Sequence, residues 1–163
     1  FTVTRMPTVA DGGERVSSTR IRQALAAGDL DLAARLLGRP YGICGRVIRG
    51  QALGRNLGYP TANIAFRHRP PLQGIFVVQA RLDGEERFRP AVASLGTRPT
   101  VNGTRVLLEV HLFDFSGDLY GKRLEVQFLR FLRGEERFDS LDALRRQMDR
   151  DAAAARAYFS ARP

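Results

Sequence analysis

One cysteine, two histidines and no tryptophan in 163 residues remove several kinds of site at the outset. Cys44 has no partner for an intrachain disulfide and cannot build a multi-cysteine zinc site. It lies in an apolar, strand-like stretch, where an inert buried thiol is the expected role. No apolar run approaches the roughly 20 residues that span a bilayer, and no charged-then-apolar start resembles a signal peptide. The cytoplasm is the expected compartment, with no membrane partner. A basic tract is missing too, although 26 Lys and Arg against 17 Asp and Glu leave a net charge of +9. The arginines are spread along the chain and sit beside acids, as in Glu85-Glu86-Arg87 and Glu135-Glu136-Arg137. Aromatic–basic interleaving of the kind single-strand binders use is absent. The charge therefore reads first as a solvated basic surface, second as attraction for a phosphate-bearing small ligand, and third as nucleic-acid binding.

What is present is a globular composition, 44% apolar and 26% charged, enough for one full domain and a fragment of a second. The chain begins at Phe1 in mid-pattern, as if cut from something longer. Ser17-Ser18-Thr19 ahead of Ile21, Leu25 and Gly28 predicts a capped short helix. A second runs from Leu30 to Leu37 and stops at Gly38 and Pro40. From Tyr41 the apolar period changes to two, which sets the expected division into residues 1–40 and 41–163. Six strands follow, near Gly42–Arg49, Ala62–Phe66, Ile75–Leu82, Arg87–Leu95, Arg105–Phe113 and Leu124–Leu132. Asp83-Gly84 is a hairpin signal between the third and fourth. Strands this closely spaced, with no helices between them, predict a mainly β fold. The expected form is a six-stranded antiparallel barrel of Greek-key type, preceded by the short helical piece. Ser140 caps a final helix with Leu141, Leu144, Met148, Ala152, Ala155 and Phe159 as its apolar stripe.

Two segments carry chemistry. The first, between the first two strands, holds Gly50, Gly54 and Gly58 with Arg55, then Tyr59-Pro60-Thr61-Ala62-Asn63. Glycines let backbone N–H groups approach an anion, and Arg55 offers a charge-assisted phosphate contact. Thr61 and Asn63 are neutral oxygen donors that suit Mg²⁺ together with nucleotide phosphates. No GxxxxGK[ST] is present, so this is not an ordinary P-loop. A glycine-rich hairpin with a proline at the strand start explains the glycines equally well. The second segment is Leu108-Glu109-Val110-His111-Leu112. Period two turns Glu109 and His111 to one face, about 7 Å apart along the strand. Glu109 there can take a proton from a substrate hydroxyl; an outward-facing pair on a half-exposed strand is the plainer alternative. His111 reads as structural, and Asp114-Phe115-Ser116-Gly117-Asp118 as a turn.

These pieces together resemble the riboflavin kinase module of bacterial bifunctional riboflavin kinase/FMN adenylyltransferases (FAD synthetases). The matching runs are GRNLGYPTAN at Gly54–Asn63, QGIFVV at Gln73–Val78, SLGTRPT at Ser94–Thr100, LEVHLFDFSGDLYGK at Leu108–Lys122 and FLRGEERFDS at Phe131–Ser140. Val16–Arg22 resembles the SSTxIR segment that closes the family's adenylyltransferase module. The HxGH motif of that module is absent, with only His68 and His111 in the chain. The resemblance therefore implies residues 1–40 as a remnant plus linker, natively fused to an adenylyltransferase module, and no adenylyl transfer from this chain.

The resemblance implies transfer of the ATP γ-phosphate to the 5′-hydroxyl of riboflavin, giving FMN and ADP, with Mg²⁺. Thr61 and Asn63 would hold the metal and Glu109 would be the general base. Gly50, Gly54, Arg55, Gly58, Tyr59 and Pro60 would fold over the phosphates. Arg98, Thr100, Arg133 and Phe138 would lie near the isoalloxazine ring. Where the family usually has asparagine before Pro-Thr and phenylalanine after it, this chain has Arg98 and Val101, and Gly134 stands where an acid is frequent. All three departures fall in the loops implied to face the flavin. Two other functions are weighed: a catalytically silent flavin- or nucleotide-binding barrel, disfavoured by the intact Thr61, Asn63 and Glu109 set, and a basic nucleic-acid-binding barrel, disfavoured by the lack of stacking aromatics, so that no nucleic-acid partner is expected.

Overall fold

The structure, a computed structural model, describes residues 2–4, 7–50, 53–66, 68–100 and 103–161; at positions 53, 99, 100 and 103 it describes the backbone alone. Val101 lies outside the described residues. A two-residue hairpin, β1 (Ala10–Asp11) and β2 (Glu14–Arg15), precedes the helices. The sequence reading missed it, because strands of two residues show no period. Helix α1 (Ser18–Ala26) is capped by Ser17, whose Oγ accepts from Arg20 N–H at 3.2 Å. Helix α2 (Leu30–Leu37) is capped by Asp29 and ended by Gly38 in the left-handed region, a conformation open to glycine without steric cost.

Six strands follow: β3 (Gly42–Arg46), β4 (Ala62–Ala65), β5 (Gly74–Leu82), β6 (Arg89–Thr100), β7 (Gly103–Leu112) and β8 (Arg123–Arg133). A short helical turn, α3 (Leu53–Asn56), lies between β3 and β4, where the sequence suggested only a glycine-rich loop. The sheet order is β3-β8-β5-β6-β7-β4, antiparallel throughout. Among the described residues the two edge strands meet through one isolated bridge, Ile48 to Asn63, which brings the sheet close to a closed barrel.

Alternation along each strand sorts the side chains. Phe76, Val78, Leu95, Leu108, Leu124 and Phe128 point inward and are almost fully buried. Ala24 and Leu25 of α1 and Leu30 and Ala33 of α2 belong to the same core cluster. The final helix, α4 (Leu141–Ser160), buries Ala152 and Ala155 with Val77 and Phe113 on the opposite, outer face. Leu141, expected in the apolar stripe, is 59% exposed because it sits in the first turn, ahead of the packed part of the helix. Cys44 is also corrected. It is exposed rather than buried, because β3 is an edge strand whose Ile43 takes the inward side and leaves Cys44 the outward one.

Candidate functional site

The outer wall of the barrel carries a polar row built by strand register. Asn63 on β4 pairs with Glu109 on β7, Glu109 with Ser94 on β6, Ser94 with Ile75 on β5, and Ile75 with Arg133 on β8. Direct cross-strand partners share a face, so one row gathers residues distant in sequence. All five line a cavity of about 520 Å³, within the range that holds a small organic ligand. Leu144, Met148 and Asp151 of α4 supply a second wall.

The third wall is the glycine loop. Gly50, Gly54, Tyr59, Thr61 and Asn63 line the cavity. Gly54 is indispensable to the turn, since a Cβ there would stand 2.4 Å from the Tyr59 carbonyl oxygen. The Tyr59 N–H donates to the Gly54 carbonyl at 2.7 Å, and Gly58, at φ 88°, turns the chain between them. The far end of the loop is tied down twice. Tyr59 donates its hydroxyl hydrogen to Asp149 of α4, and His111 Nδ1 donates to the Pro60 carbonyl at 2.9 Å. Burial, then the bond to Asp149 and its charge, push the Tyr59 hydroxyl up to about 12, against the pull of Arg145 and Arg156. His111 is thus bonded to the loop's backbone, in keeping with its structural reading. Arg55 does not line the cavity: it is exposed and donates to the Tyr120 hydroxyl at 3.4 Å. Gly58 and Pro60 shape the loop without lining it.

Asn63 is 5% exposed, and its Oδ1 is the one buried side-chain oxygen among the described residues with no hydrogen-bond partner. Its Nδ2 donates weakly to the Thr61 carbonyl at 3.3 Å. A Cβ on Gly50 would lie 2.5 Å from that amide, so the glycine makes the space Asn63 occupies. An unpaired buried carbonyl oxygen is costly and asks for a partner.

Arg98 reaches into the cavity from the outer face of β6. Its Nε donates to Glu109 Oε2 at 2.8 Å, its Nη2 to Ser94 Oγ at 2.7 Å, and its Nη1 to Glu135. Burial lowers its pKa, but the bonds and charges of Glu135 and Glu109 together hold it above the ordinary value. Arg133 is occupied elsewhere. Its Nε and Nη2 grip Asp151, the closest contact being 2.7 Å, and its Nη1 donates to the Gly134 carbonyl. Gln147 donates to the same Asp151 carboxylate at 2.9 Å. Phe138 lines the cavity with the Arg133 guanidinium 5.9 Å above its ring. The Thr100 side chain lies outside what is described. Leu144 and Met148 were expected only in the apolar stripe of α4, Ser94 and Glu135 only inside the matching runs, and Asp149 and Asp151 were not singled out, because no local pattern marks them as site residues.

Fold and site define a six-stranded antiparallel barrel with a small-molecule cavity on its outer wall. The sequence model of the family described as "Flavokinase: Riboflavin kinase" matches residues 37–159. The chain belongs to the riboflavin kinase family. It is 55% identical over 159 residues to the bifunctional riboflavin kinase/FMN adenylyltransferase of Pseudomonas fluorescens, covering 96% of this chain and 50% of that protein. Its identity to the protein of the same description from Escherichia coli K12 is 48% over 160 residues, covering 98% and 51%. The chain therefore spans about half the length of these relatives. Among solved structures, one described as a macrolide-efflux protein from Streptococcus pneumoniae is 38% identical with a TM-score of 0.80, covering 93% of this chain and 50% of that one. Riboflavin kinase from Trypanosoma brucei shares the fold, at 24% identity and a TM-score of 0.54 over 74% of this chain and 78% of that one.

Proposed function

We propose that the chain transfers the γ-phosphoryl group of ATP to the 5′-hydroxyl of riboflavin, producing FMN and ADP in a Mg²⁺-dependent reaction. The observation that carries this reading is the juxtaposition of Asn63 and Glu109. A buried carbonyl oxygen without a partner stands beside a half-exposed carboxylate, in a cavity walled by a glycine loop.

Thr61 and Asn63 would hold the ion. The orphaned Oδ1 fits it, and no cluster of three His, Cys, Asp or Glu side chains exists among the described residues. A cation here rests on neutral oxygens together with the nucleotide's own phosphates. When bound, it neutralises charge on the transferring phosphoryl group. The loop from Gly50 to Pro60 covers the phosphates, with Tyr59 and Pro60 fixing its end against Asp149 and His111. Glu109 accepts the proton of the acceptor hydroxyl as its oxygen bonds to phosphorus and the bond to the ADP oxygen breaks. Positioning and charge neutralisation supply most of the rate. Phe138 and the segment after β8 face the flavin side.

On this reading residues 1–40 close the adenylyltransferase module and 41–163 form the kinase domain. The relatives are named for both activities. Adenylyl transfer is not proposed for this chain. The proposed setting is the cytoplasm; no described helix is long and apolar enough to cross a membrane.

The test is incubation with riboflavin, ATP and Mg²⁺, with FMN read by chromatography. FMN should form, and Glu109→Ala should lower turnover by about 10²-fold or more while sparing ATP binding. No FMN at high protein concentration overturns the kinase reading and leaves a silent flavin- or nucleotide-binding barrel.

A further inference from the structure

Arg98 stands where flavin contacts were expected, yet its hydrogen bonds tie it to the polar row, to the loop beyond β8 and, at 3.3 Å, to the neighbouring Thr97 carbonyl. Three of its nitrogens are fixed by three different elements: Glu109 on β7, Ser94 on its own strand β6, and Glu135 in the segment following β8. A guanidinium is planar, so three anchors determine its orientation as well as its place. It engages only Oε2 of Glu109. Among the described residues Oε1 receives no protein hydrogen bond, and Glu109 lines the cavity.

Glu135 is itself seated by the sheet. An added Cβ at Gly96 would fall 2.0–2.1 Å from its carboxylate, so the missing side chain at Gly96 is its seat. Gln73, just before β5, donates to Glu135 Oε2 at 2.7 Å. The carboxylate thus joins the segment before β5, strand β6 and the segment after β8 around a single arginine. Without Arg98, two carboxylates would face each other across an empty space and repel.

Resting on the kinase reading above, we propose that Arg98 is a positioning residue for phosphoryl transfer. It holds Glu109 by one oxygen so that the other meets the acceptor hydroxyl, and it makes that alignment depend on Glu135 being seated over Gly96. Glu135 acts on the reaction through Arg98 and does not touch the reacting atoms. The segment after β8, which borders the flavin side, thereby reports its closure to the base.

The test is a double-mutant series on the riboflavin, ATP and Mg²⁺ reaction, with melting temperature recorded for each protein. Arg98→Gln should lower kcat by about 10- to 100-fold, the range expected when a reactive group is misplaced by about an ångström, and leave KM for ATP within about threefold of wild type. Arg98→Lys should fall between, because one ammonium keeps the charge but cannot span both carboxylates. Glu135→Gln should lower kcat by less, and Arg98→Gln with Glu135→Gln should be no slower than Arg98→Gln alone. If Arg98→Gln does not fold, Arg98→Lys and Glu135→Gln carry the test. The proposal is overturned if Arg98→Gln, or in its place Arg98→Lys, keeps kcat within twofold of wild type, or if the effects at the two positions multiply. If wild type forms FMN and these variants match it, this inference falls alone; if wild type forms none, the kinase reading and this inference fall together.

Discussion

Asn63 and Glu109 are direct partners across the β4–β7 ladder, and one of them carries a buried oxygen that the protein leaves unpaired. That is a stability cost carried at the site. Replacing Asn63 by Leu should therefore leave the ligand-free melting temperature unchanged or raised. The same variant should lose most of the thermal shift that Mg²⁺ and ATP give the wild type. Thr61→Ala should raise the Mg²⁺ concentration for half-maximal activity by about tenfold, the worth of one polar contact of roughly 1–1.5 kcal/mol. Thermal shift with and without Mg²⁺–ATP, and a Mg²⁺ titration of activity, check both. An Asn63→Leu protein that melts well below wild type without ligand would show that the oxygen is satisfied.

Gly54→Ala should damage the loop and spare the barrel. The new methyl would meet the Tyr59 backbone carbonyl at 2.4 Å, which cannot rotate aside as a side chain could. Overpacking of this kind costs about 1–3 kcal/mol, here spent on loop geometry. Affinity for a non-hydrolysable ATP analogue, measured by calorimetry with Mg²⁺, should fall about tenfold or more. The far-ultraviolet spectrum should stay that of the wild type.

Asp151→Ala should be the most destabilising of these changes. Arg133 and Asp151 are 18% and 10% exposed, and Gln147 also donates to the carboxylate. Removing one partner of such a pair costs about 3 kcal/mol, which at roughly 2–4 °C per kcal/mol lowers the melting temperature by about 6–12 °C. Arg133→Met combined with Asp151→Leu should recover much of the loss, since no uncompensated charge is left. Differential scanning calorimetry of both proteins decides it.

Tyr59 gives a pH signature. Its folded value of about 12 exceeds its ordinary 10.0, so the protonated hydroxyl is the form the fold favours. The stability it contributes is intact below pH 10 and declines as pH rises from 10 through about 12. An absorbance titration of the four tyrosines should show late ionisation from Tyr41, raised by burial, and from Tyr59, of which Tyr59→Phe removes the component near pH 12. Asp149→Asn should move that component to lower pH, because the Asp149 carboxylate, by its hydrogen bond and its charge, helps burial hold the proton on Tyr59.

The barrel was legible where the period of two was clean. Leu108, Val110 and Leu112 against Glu109 and His111 gave the right faces, and Asp83-Gly84 gave the right turn. The outward-facing reading of Glu109 and a place for it at a ligand site are compatible, since the cavity it lines is on the outer wall. What the chain did not disclose is whatever depends on strand order. Arg98 and Glu135 are 37 positions apart and meet only because β5 pairs with β8 on one side and with β6 on the other. Cys44 was misjudged for the same reason, since composition does not say which strand is an edge. Arg55 illustrates a different limit: a basic residue in a glycine loop can as readily bond an outer tyrosine as a ligand.

The bridge between Ile48 and Asn63 has a consequence for how the molecule comes to life. The Asn63 carbonyl accepts the Ile48 N–H at 2.8 Å, while the side chain of the same residue enters the cavity. The backbone that shuts the barrel and the unpaired buried oxygen thus belong to one residue. During refolding, competence to bind should arrive with the closing of the seam and not before it. A chain stalled with β3 and β4 apart would have its other ladders in place and an unfinished cavity.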